Sequence, residues 1–277
     1  MSLKSNIKIY HYNKKITNDM FVFSAGEIQV KLKFPFHKVD KNEPFDIRAY
    51  IFDAKGIVEL LMISDALYRA HPETPQHLIL PYLPYSRQDR VCADGEAFGL
   101  DVMLRMLALA HFTTITTYDA HSAVALNSFL AIKNVTAEHF VSKIAGVEKF
   151  THIVAPDKGG YERAERCADL LGIPMLIGKK KRDPNTGEIT GTSVHLDNAA
   201  MDSVGYLGDS KLLIVDDIID GGRTFIELAK VINPLLSEKG RLELFATHGI
   251  FSKGRKIVEE HFDYIYVAND FELNYSN

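Results

Sequence analysis

The chain has 277 residues, 46% of them hydrophobic and 25% charged, and a formal net charge of -4. That length gives one large or two modest domains with ample core, and the acidic balance removes any global electrostatic reason to bind nucleic acid or an anionic membrane. No apolar run approaches the ~20 residues that span a bilayer. The first residues lack the apolar centre of a secretory leader, and Cys92 and Cys167 form neither a zinc spacing nor a disulfide framework, so a reducing cytoplasm is the expected setting.

In chain order, IKIYHY (7–12), FVFS (21–24) and IRAYIFDA (47–54) read as strands. GIVELLMISDALYRAH (56–71) places apolar residues at i, i+3, i+4 and i+7 and reads as a helix. HLILPYLPY (77–85) is a strand, GLDVMLRMLALAHF (99–112) a helix and TTITTYDAH (113–121) a strand. The second half alternates in the same way, with strand HIVAPD (152–157), helix YERAERCADLLG (161–172) closed by Gly172, then strands MLIGKK (175–180) and LLIVDD (212–217). Helix TFIELAKVI (224–232), strand LELFATHGIF (242–251), helix GRKIVEEHF (254–262) and strand DYIYVAND (263–270) follow. Strands alternating with helices imply an α/β fold with mainly parallel sheets flanked by crossover helices. Two such units are expected, 1–140 and 141–277.

In open parallel sheets, ligands sit beyond the carboxyl ends of the strands. The polar clusters fall there: FSAGE (23–27), RQDR (87–90), YDAH (118–121), APDKGG (155–160) and VDDIIDGGRT (215–224). In the last, a strand runs into an acidic turn, a glycine loop and a helix start. Backbone N–H groups and the dipole of such a helix favour an anion. Asp216 and Asp217 cannot touch phosphate themselves. They suit a neighbour of phosphate that carries vicinal hydroxyls, namely ribose, or a magnesium ion; an N-capping turn with surplus acids is the plainer alternative. Upstream, Lys179 and Lys181 stand two apart, so on an extended strand they project from one face and two cations can grip one anionic group. A solvated basic hairpin before the turn DPNTGE (183–188) is the plainer reading of that run.

VDDIIDGGRT resembles the ribose-phosphate-binding signature of the phosphoribosyltransferase fold, and in particular that of the ribose-phosphate pyrophosphokinases, or PRPP synthetases. PYLPYSRQDR (81–90) resembles that family's ATP-site motif, FSAGE its adenine-site motif and ATHGIFS (246–252) a later family segment. YDAH and APDKGG match the positions of its metal-binding histidine and aspartate, and GKKKR (178–182) sits where its flexible catalytic hairpin lies. The resemblance spans nearly the whole chain. It implies two tandem phosphoribosyltransferase-like domains, the first carrying the ATP motifs, the second the ribose loop and the hairpin. It also implies diphosphoryl transfer from ATP to the anomeric hydroxyl of ribose 5-phosphate, with Mg2+ as cofactor and a homo-oligomer, dimer to hexamer, in which FSAGE reaches a neighbour's ATP site.

Residue by residue, the resemblance assigns Phe23, Glu27, Arg87, Gln88, Asp89 and Arg90 to ATP. It assigns His121 and Asp157 to the metal, and Lys179, Lys181 and Arg182 to the transferring group. Asp216, Asp217, Asp220, Gly221, Gly222, Arg223 and Thr224 go to the ribose and its 5'-phosphate, with Asp220 also a candidate to help activate the anomeric hydroxyl. The chain departs from the family in four places. Lys181 stands where the family has arginine, and a lysine is a point charge where arginine is a fork. Ala25 stands where the adenine motif usually has an acid. Gly-Gly-Arg-Thr replaces a loop that usually reads like TGGT. The chain also ends soon after DYIYVAND, where the family usually continues through a further strand and helix. Arg223 opens an alternative acceptor, the terminal ribose of ADP-ribose, giving ADP-ribose 1-pyrophosphate for NAD synthesis. Two rivals complete the set: a simple phosphoribosyltransferase, which has no need of RQDR, and a non-catalytic nucleotide-binding regulator.

Overall fold

The structure, a computed structural model, describes residues 4–182, 189–196 and 205–275. Its contacts divide the chain into two units, Met1–Val135 with Phe271–Asn277, and Thr136–Asp270. The second unit thus opens a few residues before the division read from the sequence, and the chain rejoins the first unit at Phe271.

The first unit contains strands β1 (Asn6–His11), β2 (Lys14–Val22), β3 (Ile28–Lys33), β4 (Phe45–Tyr50), β5 (Gln76–Ile79), β6 (Thr114–Tyr118) and β7 (Ile132–Val135), with helices α1 (Ala54–Ala70), α2 (Gly99–Leu107) and α3 (Ala123–Leu126). The sheet order is β3-β2-β1-β4-β5-β6-β7. The pairings from β3 to β4 are antiparallel and those from β4 to β7 are parallel. Helix α1 starts where the Asp53 carboxylate accepts the Gly56 N–H at 2.8 Å, satisfying one of the unpaired donors of the first turn. Its buried face is Ile57, Leu60, Ile63, Ser64 and Leu67, and each of the large aliphatic side chains is worth about 1.5–3 kcal/mol on full burial. Ser64 is tolerated in that stripe because its hydroxyl donates to buried Gln76 at 2.8 Å.

The second unit contains α4 (Ala137–Ala145), β8 (His152–Ala155), α5 (Tyr161–Leu171), β9 (Met175–Arg182), β10 (Ile189–Leu196), β11 (Lys211–Ile219), α6 (Arg223–Ile232), β12 (Arg241–Gly249), α7 (Lys256–Glu259) and β13 (Tyr264–Asp270). Its sheet runs β10-β9-β8-β11-β12-β13, parallel except between β9 and β10. Leu212, Leu213, Ile214 and Val215 of β11 are fully buried because both faces of the sheet are covered. Leu212 and Ile214 join Leu228 and Ile232 of α6, while Leu213 and Val215 join Ala164 and Cys167 of α5. Gly172, at φ 64, ends α5 in the left-handed conformation that glycine adopts without penalty. Past β13 the short helix α8 (Phe271–Asn274) belongs to the first unit.

The α/β class read from the sequence is the fold observed, with local differences. FVFS is strand only in its first half: β2 ends at Val22, and Phe23 opens a turn closed by the Phe23 N–H to Glu27 carbonyl bond at 2.7 Å. In HLILPYLPY the strand runs only to Ile79; the Leu80 N–H still donates to the Thr116 carbonyl at 2.8 Å, but Pro81 and Pro84 have no N–H to carry the ladder further. GRKIVEEHF is helical only over Lys256–Glu259. Strands β3, β7 and β10 and helices α3, α4 and α8 have no counterpart in the sequence reading.

Candidate functional site

Asp216 and Asp217 do not begin a turn. Strand β11 continues through Ile219, because Ile218 pairs with His248 and Ile219 with Gly249 of β12. The two carboxylates therefore stand near the carboxyl end of a buried strand, and Asp220 opens the loop. Arg163 of α5 holds both: its Nη1 lies 3.2 Å from Asp216 Oδ1 and its Nη2 lies 3.7 Å from Asp217 Oδ2. The three side chains are 9%, 18% and 8% exposed, so the pairing is poorly screened by water. The Asp217 N–H also donates to Asp216 Oδ1 at 3.0 Å. Burial first, and then the neighbouring Asp217 carboxylate, push the Asp216 carboxyl well above the usual carboxylate range; Arg163 draws it back only in part. Acceptor oxygens fixed in this way suit the hydroxyls of a sugar.

The loop after Asp220 turns at Gly222, which caps α6 at φ 76. A Cβ there would lie 2.5 Å from Val258 Cγ2, so both conformation and space demand glycine. The first turn of the ten-residue α6 then presents its N–H groups and the positive end of its dipole. Arg223, at the first helical position, is exposed. The alkyl chain of Lys253, from the segment after β12, passes 3.5 Å from where a Gly221 side chain would begin. The loop is thus flanked by two cations.

Behind these acids lies the APDKGG segment. Asp157 accepts the Gly159 N–H at 2.9 Å and the Gly160 N–H at 3.4 Å, which curls Lys158–Gly160 into a single turn. A Cβ on Gly160 would lie 3.4 Å from Asp216 Oδ1, so this turn abuts the carboxylate pair. A cavity of about 620 Å3 is lined by Asp157, Lys158, Tyr161, Ile177, Gly178 and Lys179, among others. Gly178 is needed there, because a Cβ would meet the Pro156 carbonyl oxygen at 2.5 Å. Lys179, exposed, lies across the β9–β10 ladder from Ser193. Lys181 and Arg182 pair by backbone with Gly191 and Ile189; their side chains, and residues 183–188, where the sequence reading expects a turn, lie outside the described residues.

In the first unit, Arg87 and Gln88 line a cavity of about 400 Å3 with Phe52, Asp53, Tyr82, Tyr85 and Phe271. The Gln88 carbonyl accepts the Leu100 N–H at 3.1 Å, tying the RQDR segment to the start of α2. Asp89 and Arg90 are not among that cavity's lining residues, and neither are Phe23 and Glu27. The last two stand on the exposed tip of the β2–β3 hairpin, where Phe23 is 57% exposed. His121 is exposed beyond β6 in the first unit, whereas Asp157 belongs to the second. Among the described residues no three His, Cys, Asp or Glu side chains group to hold a metal.

Three cationic residues of these clusters escaped the sequence reading: Lys158, Arg163 and Lys253. Arg163 left a signal. It shares the buried stripe of Ala164, Cys167 and Ala168 on α5, and an arginine in such a stripe requires buried acidic partners.

The phosphoribosyl transferase domain model matches residues 125–270, and the model for the N-terminal domain of ribose phosphate pyrophosphokinase matches residues 2–110. A ribose-phosphate pyrophosphokinase of Pyrococcus abyssi is 33% identical over 242 residues, covering 84% of this chain and 73% of that protein. Another, from Mycoplasmopsis pulmonis, is 29% identical over 274 residues, covering 96% of this chain and 78% of that protein. Among solved structures, phosphoribosylpyrophosphate synthetase from Mycobacterium smegmatis has the same fold, with a TM-score of 0.66 at 22% identity over 89% of this chain and 77% of that one. With both halves matched in order by relatives of one kind, the chain belongs to the ribose-phosphate pyrophosphokinase family.

Proposed function

We propose that the chain transfers the terminal diphosphoryl group of ATP to the anomeric hydroxyl of ribose 5-phosphate, giving PRPP and AMP. The observation that carries this reading is the arrangement at the end of β11. Two carboxylates held by a buried arginine are followed directly by a glycine-turned helix start flanked by Arg223 and Lys253. In this reading Asp216 and Asp217 accept from the ribose hydroxyls, and the α6 N–H groups, with Thr224, Arg223 and Lys253, take the 5'-phosphate. The C1 hydroxyl oxygen attacks the β-phosphorus of ATP, the bond from that phosphorus to the α,β-bridging oxygen breaks, and AMP leaves. The hydroxyl proton passes to a base, for which Asp220 is the candidate. Positioning and cationic neutralisation do most of the work in such transfers. Lys179 supplies one cation on the cavity wall, and Lys181 or Arg182 supplies the second.

Arg87 and Gln88 hold ATP. The resemblance gives Mg2+ as cofactor. Asp157 supports this chemically, since Mg2+ characteristically combines one or two carboxylates with substrate phosphates; His121 is a less usual partner. Bound there, the ion would neutralise charge on the phosphates.

A homo-oligomer belongs to the same proposal. The apolar run Met20, Phe21, Val22 and Phe23 on the hairpin is 41–57% exposed, which supports a subunit contact at that tip. A cytoplasmic setting also remains a proposal; among the described residues no helix is long and apolar enough to cross a membrane. The comparisons lend no support to ADP-ribose as the acceptor, and the RQDR cavity disfavours a simple phosphoribosyltransferase.

The test is AMP formation from ATP and Mg2+ with ribose 5-phosphate, run beside ADP-ribose and repeated with Asp217→Ala. AMP release with ribose 5-phosphate that is lost in the variant is the expected result. No release with ribose 5-phosphate overturns the function, and full activity in the variant overturns the placement of the sugar.

A further inference from the structure

The segment after β13 leaves the second unit and is anchored firmly on the first. Tyr275 is fully buried and Phe271 is 4% exposed. Their rings stack at 4.1 Å, and Tyr275 meets Tyr50 edge-on at 5.5 Å. Backbone and side-chain bonds fix the path as well: the Lys4 N–H donates to the Tyr275 carbonyl at 2.7 Å, and the Asn6 amide donates to the Asn274 carbonyl at 3.0 Å. This anchoring places Phe271 edge-on to Tyr82 at 5.4 Å. Phe271 and Tyr82 both line the cavity that contains Arg87 and Gln88. Tyr82 lies at the base of the short connection Pro84–Tyr85–Ser86 that leads to Arg87, and Tyr85 sits there at φ 63. A non-glycine residue in that region persists only where its surroundings hold it.

We propose that Phe271 is a positioning residue of the nucleotide site: anchored by Tyr275, it forms the aromatic wall of the Arg87–Gln88 cavity and sets its affinity for ATP. The inference rests on reading that cavity as the ATP site. A packed ring at this point keeps Tyr82, and with it the loop that carries Arg87, in one position before the nucleotide arrives. Small misplacement of binding groups is expensive, so loss of the ring weakens ATP without touching the ribose cluster, whose residues all lie in the second unit.

Steady-state kinetics of the full chain test this with Phe271→Leu, which keeps apolar volume but removes the ring, and Phe271→Tyr, which restores it; Arg87→Ala is the control. Phe271→Leu is expected to raise the KM for ATP on the order of tenfold while the KM for ribose 5-phosphate stays within twofold. Phe271→Tyr is expected to return it to near the parent value. A merely structural role would lower kcat through loss of folded protein and leave both KM values alone, and that result overturns the proposal. An unchanged KM for ATP in Phe271→Leu beside a raised one in Arg87→Ala also overturns it and leaves the ATP reading standing. If Arg87→Ala too leaves the KM for ATP unchanged, the cavity is not the ATP site and both readings fall.

Discussion

Replacing Arg163 by methionine tests the centre of the proposed ribose site. Methionine keeps much of the length of the side chain and removes its charge. The arginine is 9% exposed, Asp217 8% and Asp216 18%, so the substitution leaves two adjacent carboxylates in a setting with little water to screen them. Breaking a buried pair by removing one partner costs about 3–5 kcal/mol, because the remaining charge is uncompensated. At roughly 2–4 °C per kcal/mol for a unit of this size, the melting temperature should fall by about 6–20 °C. Differential scanning fluorimetry measures that drop, and steady-state kinetics should show a raised KM for ribose 5-phosphate beside an unchanged KM for ATP. Arg163→Lys should recover only part of both, since one ammonium cannot span two carboxylates as the guanidinium does. The double variant Arg163→Met with Asp216→Asn should lose less stability than Arg163→Met alone, because one of the stranded charges has gone. A melting temperature within about 2 °C of the parent, less than one kcal/mol would produce, together with an unchanged KM for ribose 5-phosphate, would refute the claim that Arg163 organises the pair.

Two further outcomes follow from the same region. Lys253→Ala should raise the KM for ribose 5-phosphate by about 2–10-fold, the range of an exposed charge-assisted contact, with less effect at high salt; an unchanged KM at low salt removes Lys253 from the phosphate loop. Asp216→Asn should make the protein more stable at neutral pH while it impairs turnover. Because burial and Asp217 raise the Asp216 carboxyl in the folded state, the folded chain retains a proton that the unfolded chain releases near pH ~3.9. Stability is therefore highest below that value and falls as pH rises through the folded pKa. The advantage of the asparagine variant over the parent should shrink as pH is lowered, and melting curves from about pH 4 to 8, the span above the unfolded value, in which the gap is constant would show that ionisation is not its cause.

What the sequence made legible was periodic and local. The spacing Ile57, Leu60, Ile63, Leu67 announces α1, and LLIV announces β11, because each pattern has one physical solution: a helix with one buried face, or a strand buried on both. The same logic failed where the pattern was weak or interrupted. In β3, Ile28 and Val30 alternate with exposed Gln29 and Lys31 over only six residues, and pairing with β2 rather than propensity makes it a strand. Strand β7 has four residues and takes its place from its parallel partner Thr114–Tyr118. HLILPYLPY misled in the opposite direction, since apolar content suggested a strand where proline withholds the hydrogen bond.

The candidate site divides in the same way. Acids, glycines and lysines clustered at strand ends can be read in sequence because each cluster is continuous: VDDIIDGGRT holds the two carboxylates, the αL glycine and the helix start in one unbroken run. What links the clusters is not continuous. Arg163 stands 53 positions before Asp216, and only the parallel pairing of β8 with β11 brings α5 over the acids. Lys253 reaches Gly221 because β11 and β12 run side by side in register and deliver their following loops to the same edge. Phe271 and Tyr82 meet because the chain returns to its first unit. For Arg163 and Phe271 the sequence names the group that would touch a substrate, while the residue that holds that group in place is supplied by topology; with Lys253, topology supplies a contact group itself. Positioning residues in this fold are therefore to be sought one strand or one helix away from the motif, at charged or aromatic positions whose burial has no local explanation.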